Sequence, residues 1–269
     1  MPLLTNTRNT GCILLVTLCL LLCSVFTHAE INQYQYRVLE TLPHSQHTFT
    51  QGLIVDGDQL IESSGLYRQS FVQRYSKSST AMNHPLAKRT FIAKRFFAEG
   101  IAAINDKLFL LTWKSGVAHQ LNRQTLAIEK QHHYHGEGWG LSAMKDQLIM
   151  SDGSDRLQVR APENFKLLYT ITVTHPHRNI TYLNDLTYAN GLIWANVWQQ
   201  DHLLAINPQS GQVVAELDLS ALTQKHSSND PDDTLNGIAW DTGKQALWVT
   251  GKRWSKLYLL QITPTQKKN

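Results

Sequence analysis

Side chains able to do chemistry recur at matching places along this chain, where a bare scaffold would need only small apolar residues. Five short stretches that lead into a Leu or Ile carry Gln51, Glu99, Trp139, Asn184 with Asp185, and Asn236. The apolar runs that follow them end in Glu62, Trp113, Asp152, Trp198 and Lys252. Carboxyl groups move protons, amides and ammonium groups donate hydrogen bonds to developing oxyanions, and indoles exclude water. Each also has a plainer use. Tryptophans pack between strands, Asp152 in SDGS suits a turn, and Glu62 and Asp185 suit bonds to the backbone or a place behind the pocket wall.

The elements that must bring these residues together are legible in a repeat. QGL at Leu53, EGI at Ile101, WGL at Leu141, NDL at Leu186 and NGI at Ile238 are separated by 48, 40, 45 and 52 residues. That period is the size of a four-stranded propeller blade. Each occurrence is followed by a strand-like run, from Leu60, Leu108, Leu148, Leu192 and Leu247. Elsewhere apolar residues alternate or form short blocks bounded by Gly, Asp, Asn and Pro, with no long helical period outside the N-terminus. The expected fold is an all-β, five-bladed β-propeller. Its ring is closed by an N-terminal strand, Tyr34 to Leu42, pairing with the last blade so that no sheet edge stays open. Equivalent positions of the blades then converge on one axis, which turns a scattered list into a site. The polar stretch from Gln224 to Thr234 reads as a solvated surface loop without function.

Residues 1–29 read as a secretory signal: Arg8, an apolar run from Cys12 to Phe26, and a small residue at Ala29. The run is shorter than the roughly 20 residues that span a bilayer as a helix. Lipidation at Cys23 is disfavoured because Leu22 stands where a small residue is expected. Residues 30–269 form one domain, secreted or periplasmic, with no membrane attachment once the signal is removed. All three cysteines, Cys12, Cys19 and Cys23, fall inside the signal, which leaves the mature chain without a thiol for a disulfide, a zinc site or a nucleophile. Removing Arg8 takes the formal charge from +4 to +3. The only basic block is Lys267-Lys268, so nucleic acid is not implied. A self-closed ring needs no partner chain, and a monomer is expected. His132, His133 and His135, with His175 and His177, read as an exposed patch and not as a metal site, and Asn179 opens a glycosylation sequon.

The segments FTQGL at Phe49, ESSGLY at Glu62, FAEGI at Phe97, LTWKSG at Leu111, EGWGL at Glu137, SDGS at Ser151, LND at Leu183, ANVW at Ala195, LNGIAW at Leu235 and TGKRW at Thr250 resemble the plant and bacterial glutamine cyclotransferase family of the papaya-latex type. The resemblance runs from about residue 34 to 262. It implies a five-bladed propeller with its active site at one mouth of the channel. The implied activity converts the N-terminal glutamine of a peptide or protein to pyroglutamate with release of ammonia, without metal or cofactor. By motif, Glu99 would be the acid-base residue. Phe49, Gln51, Trp113, Trp139, Asn184, Trp198 and Lys252 would line and polarise the pocket, with Glu62 and Asp185 behind it.

The chemistry suits those residue types. The α-amine attacks a carboxamide of its own side chain, so effective molarity is built into the substrate. The enzyme has to keep the amine neutral, stabilise an oxyanion and protonate the leaving ammonia. Two positions depart from the family pattern. Ala98 stands where the family has Gly, which could move Glu99. Asp185-Leu186-Thr187 replaces Glu-Leu-Glu, so one acid is shortened and another lost. Two other functions fit the same fold: a non-catalytic propeller that binds peptide N-termini, and a calcium-dependent, lactonase-like propeller hydrolase.

Overall fold

A computed structural model describes residues 31–77, 88–176, 178–226 and 228–266. The expected signal with its cysteines, His177 and the terminal lysines lie outside the described residues, and so does the Asn179 side chain. Strands dominate, as the alternating pattern predicts. Among the described residues the exceptions are one helical turn, Ser220–Thr223, and a 3₁₀ turn, Gln224–His226. These open the stretch read as an irregular loop, and they are anchored by buried Leu219 and Leu222.

The strands fall into antiparallel groups of four. The first holds Thr50–Asp56, Gln59–Ser64, Phe71–Ser76 and Lys88–Phe91. The second holds Ala98–Ile104, Lys107–Thr112, Val117–Asn122 and Ile128–His133. The third holds Leu141–Met144, Gln147–Met150, Arg156–Arg160 and Leu167–Thr172. Thr174–His175 and Arg178–Asn179 pair as a small two-stranded sheet, and the other strands form one eight-stranded sheet. On one side it runs Leu183–Ala189, Leu192–Val197, His202–Ile206 and Val213–Asp218, and on the other Leu235–Asp241, Ala246–Gly251 and Lys256–Pro264. The N-terminal strand Asn32–Pro43 lies between the two halves. It pairs antiparallel with Lys256–Pro264 from Tyr34 opposite Pro264 to Pro43 opposite Lys256. It also pairs in parallel with Val213–Asp218 at Asn32 opposite Ala215. The first pairing follows the expectation for Tyr34 to Leu42. The second, which joins two groups into one sheet, has no signal in the repeat.

Five apolar clusters sit between consecutive groups. Ile61 and Val72 pack with Ile101 and Leu108; Phe109 and Leu111 with Leu148 and Phe165; Ile149 and Leu157 with Ile193 and Leu204; Trp194 and Leu203 with Ile238 and Leu247. The fifth joins the last group back to the first, through Trp248 and Leu259 against Leu53 and Leu60. Each large aliphatic or aromatic side chain so buried stabilises by about 1.5–3 kcal/mol. The first strand of each group is covered on both faces, so Ala98–Ile104, Leu183–Ala189 and Leu235–Asp241 are buried almost throughout. The outermost strands, such as Ile128–His133 and Leu167–Thr172, are mostly exposed.

Those first strands meet in cyclic order, and glycine is what lets them. A Cβ on Gly100 would lie 2.4 Å from the Leu141 nitrogen, and one on Gly140 would lie 2.0 Å from the Asn184 carbonyl oxygen. The small residue of the repeat is therefore the point where one group touches the next. At the equivalent position of the fourth group stands Asp185, whose Oδ2 instead accepts the Ile238 N–H at 2.9 Å.

Candidate active site

Four of the five first strands carry an irregularity at the residues of interest. The pairing shifts between Thr50 and Gly52, Ala98 and Ile101, Leu183 and Leu186, and Leu235 and Ile238. A bulge leaves its extra residue unpaired and re-aims the side chain. Gln51, Glu99, Asn184 with Asp185, and Asn236 sit at these bulges, and Gln51, Glu99 and Asn184 reach one cavity. Two serines then fix the freed backbone from the neighbouring group: Ser63 Oγ donates to the Glu99 carbonyl at 2.6 Å, and Ser151 Oγ to that of Asn184 at 2.8 Å.

One cavity of about 390 Å³ opens there. Its wall contains Glu99 and all of Phe49, Gln51, Trp113, Trp139, Asn184, Trp198 and Lys252. It also contains four residues that were given no role from the sequence: Leu66, Phe97, Tyr182 and Asp232. Phe97 is in the FAEGI segment, and Asp232 belongs to the polar stretch read as a solvated loop without function. Asp232 is exposed, as that reading expects, and it also lines the cavity. Leu66 and Tyr182 hold left-handed backbone at φ 80° and 62°, a conformation that branchless single-residue rules do not reveal for bulky side chains.

Glu99 is 5% exposed. Burial pushes its carboxyl well above the usual range; Lys252 pulls it back, and Glu137 and Asp185 push it further up. Gln51 Nε2 donates to Glu99 Oε1 at 3.0 Å. Asn236 Nδ2 reaches the Thr50 carbonyl at 3.0 Å and Gln51 Oε1 at 3.3 Å, so it orients the Gln51 amide from behind. Lys252 is equally buried. Its ammonium is pulled below its ordinary range by desolvation, against the opposing pull of Glu99 and Asp232. Its Nζ lies 4.9 Å over the Phe49 ring and makes no ion pair within the described residues. Asn184 Oδ1 is buried without a hydrogen-bond partner. The Lys252 ammonium and the Asn184 amide N–H are donors of the kind an oxyanion needs, whereas Asn184 Oδ1 can only accept.

The aromatic wall has two runs of touching rings. Phe97 meets Phe49 at 6.2 Å and Trp113 at 5.5 Å, and Trp139 meets Tyr182 at 6.4 Å and Trp198 at 6.0 Å between ring centroids. These contacts are edge-on or offset, as ring quadrupoles prefer.

The two acids expected behind the pocket are outside its wall. Glu62 is enclosed and accepts from Thr50 Oγ1 at 2.7 Å, Gln73 Nε2 at 2.9 Å and Tyr75 OH at 3.1 Å. It also bonds His44 Nε2 at 2.9 Å. Burial works against charge on both partners, yet their mutual attraction holds the Glu62 carboxyl below its ordinary range and His44 above its own. Glu62 thereby grips Thr50, the neighbour of Gln51. Asp185 is buried, and desolvation pushes its carboxyl well up while backbone N–H groups, Ile238 among them, oppose the rise. Asp152 holds its turn through Ser154 N at 3.0 Å and Gln158 Nε2 at 2.8 Å.

The two departures in sequence fit their surroundings. Ala98 is not among the residues with positive φ, so its Cβ imposes no strain on Glu99. Thr187 Oγ1 accepts the Trp240 N–H at 3.1 Å, away from the cavity. The histidine patch is only partly a patch: His133 and His135 are exposed, whereas His132 is buried on Phe109 and Phe165 and bonds Gln120 at 3.1 Å. Among the described residues no group of three or more His, Cys, Asp or Glu is placed to hold a metal ion, and no helix is long and apolar enough to cross a membrane.

A family profile described as glutamine cyclotransferase matches residues 13–262. A glutaminyl-peptide cyclotransferase of Arabidopsis thaliana is 35% identical over 244 residues, which cover 89% of this chain and 74% of that one. The crystal structure of Myxococcus xanthus glutaminyl cyclase superposes with a TM-score of 0.80 at 30% identity, covering 88% of this chain and 100% of the other.

Proposed function

The chain belongs to the glutamine cyclotransferase family, and from that premise we propose that it is a glutaminyl-peptide cyclotransferase built as a five-bladed β-propeller. It closes the N-terminal glutamine of a peptide or protein to pyroglutamate and releases ammonia. The observation that carries this reading is the single cavity whose wall holds Glu99 together with all seven pocket residues that the family motifs mark. The blade assignment is supported by the five apolar clusters and by the strand Asn32–Pro43 pairing with Lys256–Pro264.

In the proposed reaction a C–N bond forms between the substrate α-nitrogen and its side-chain carboxamide carbon, and the bond from that carbon to the amide nitrogen breaks. One proton leaves the attacking nitrogen and one is delivered to the departing ammonia. Glu99 does both and ends unchanged. Burial raises the Glu99 carboxyl well above its ordinary range, which favours its protonated form and suits it to act as the acid. Its conjugate base, formed beside the new ammonium, takes the next proton. Lys252 and Asn184 receive the oxyanion, and the buried Lys252 charge also disfavours a protonated substrate amine. Trp113, Trp139 and Trp198 exclude water and hold the side chain curled, so that ring closure outruns hydrolysis.

We further propose that residues 1–29 are a cleaved signal, that the mature enzyme is secreted or periplasmic, and that it acts as a monomer. The test is ammonia release together with the loss of one ammonia in mass from a Gln-initiated peptide, with EDTA present and Glu99→Gln as control. Turnover by the unaltered protein and its collapse in the variant support the reading. Peptide binding without turnover would leave a binding propeller, and turnover abolished by EDTA would favour a metal-dependent hydrolase.

A further inference from the structure

Trp113 and Trp139 belong to different strand groups, yet their indole N–H groups donate to the same oxygen. Trp113 Nε1 is 2.7 Å and Trp139 Nε1 is 3.0 Å from Glu137 Oε2. Glu137 is only half-buried, and its other oxygen lies 3.9 Å from Lys114 Nζ. Lys114 in turn lies 4.0 Å over the Trp113 ring, so the carboxylate and the ammonium hold that indole from its edge and its face. The backbone is tied to the same place: the Gly138 N–H donates to the Trp113 carbonyl at 2.9 Å. A Cβ on Gly138 would lie 2.2 Å from the Tyr134 hydroxyl, so this loop has little room to shift.

We propose that Glu137 is a positioning residue: its one carboxylate oxygen clamps the Trp113 and Trp139 indoles at the spacing that receives the glutaminyl side chain. The physical reason is rotational freedom. An indole at a cavity wall turns about two side-chain torsions, and a partly exposed one is not locked by packing. A charged acceptor shared by two N–H donors fixes both rings relative to each other, and hydrogen bonds to charged groups are the stronger kind. Glu137 does not touch the reacting atoms. Its charge has a second effect through space, because it joins Asp185 in pushing the Glu99 carboxyl up against the downward pull of Lys252. The clamp and the charge are therefore separable. An amide oxygen has two lone pairs and can accept from both indoles, so Glu137→Gln keeps the clamp and loses the charge, whereas Glu137→Ala loses both.

The assignment to glutaminyl substrate rests on the proposed function, and the experiment separates the two. Steady-state kinetics on a Gln-initiated peptide, acrylamide quenching of tryptophan fluorescence and thermal melts are measured on the unaltered protein, Glu137→Gln and Glu137→Ala. The expected result is that Glu137→Ala raises KM about tenfold and exposes tryptophan to quencher. Glu137→Gln restores both toward the unaltered values but moves the pH profile of kcat to lower pH. Glu137→Ala with unchanged KM and quenching, at an unchanged melting temperature, would overturn the clamp, and so would Glu137→Gln being as impaired as Glu137→Ala in both. If the unaltered protein turns over no peptide, the proposed function fails instead, and the quenching comparison still decides whether Glu137 holds the indoles.

Discussion

Gln51 Nε2 donates to Glu99 Oε1 at 3.0 Å while the oxygen of the same amide faces Asn236 Nδ2 at 3.3 Å. Asn236 thus determines which end of the Gln51 amide meets the carboxyl, and it does so from the last strand group. With Oε1 engaged by Gln51, Oε2 is the Glu99 oxygen left for proton exchange. Gln51→Leu is expected to lower kcat by about tenfold or more with a smaller change in KM, and Asn236→Ala to do the same more weakly. Steady-state kinetics on one Gln-initiated peptide checks this, and a loss confined to KM would mean that Gln51 holds substrate and not Glu99.

Glu99→Gln separates chemistry from stability. Loss of the proton carrier is expected to reduce kcat by about 10²–10⁴-fold. Because the folded Glu99 carboxyl titrates above its unfolded value of 4.5, its stabilising effect is complete below that value and is lost as pH rises through the folded pKa. The glutamine variant carries no such titration. Its melting temperature is therefore expected to fall less than that of the unaltered protein between mildly acidic and alkaline pH. Parallel melting curves across that range would contradict the raised carboxyl.

The His44 and Glu62 pair is a buried contact at 2.9 Å with the opposite sign on each side. His44 titrates above 6.5 when folded, so its contribution is present below that value and lost as pH climbs through the raised pKa. Glu62 titrates below 4.5, so its contribution is present above that value and lost as pH drops through the lowered one. The pair is most stabilising in the window between. His44→Ala leaves a buried carboxylate uncompensated and is expected to cost about 3–5 kcal/mol there. Denaturant unfolding at pH values inside and outside the window tests this. A cost that does not vary with pH would place the destabilisation in lost packing alone.

What was legible in the sequence was what repeats. The spacing of QGL, EGI, WGL, NDL and NGI located the strands that carry Gln51, Glu99, Asn184 and Asn236, because the first strands approach closely at this position, at a glycine in four repeats and at Asp185 in the fourth. The strand from Tyr34 was legible because it alternates ahead of the first repeat with nothing of its own to pair. Tyr182, Leu66 and Asp232 were not legible: they reach the cavity from connections whose lengths differ between groups, where no period applies. Glu137 stood in a quoted segment, but its function depends on two indoles meeting across a group boundary, which spacing alone does not encode. The polar run SSNDPDD looked solvated because its composition is, although one of its aspartates faces the cavity.

That loop supplies a last prediction. Arg253 reaches back to Asp230 and Asp233, and its guanidinium lies 5.0 Å over Phe49. The Lys252 N–H donates to the Thr234 carbonyl at 2.9 Å, so the loop is stapled to the strand that bears the buried ammonium. Asp232 is one of the groups that pull the Lys252 pKa upward against desolvation. Removing that charge in Asp232→Asn lets the ammonium titrate lower, and the alkaline limb of kcat/KM is expected to move to lower pH. Asp232 is exposed, so solvent and salt screen its charge and the shift is small. A pH–rate profile at low and at high salt measures it. If Lys252 holds the oxyanion, the shift shrinks in high salt as Asp232 is screened in the unaltered protein; an alkaline limb that ignores both Asp232 and salt would assign it to another group and remove Lys252 from the chemistry.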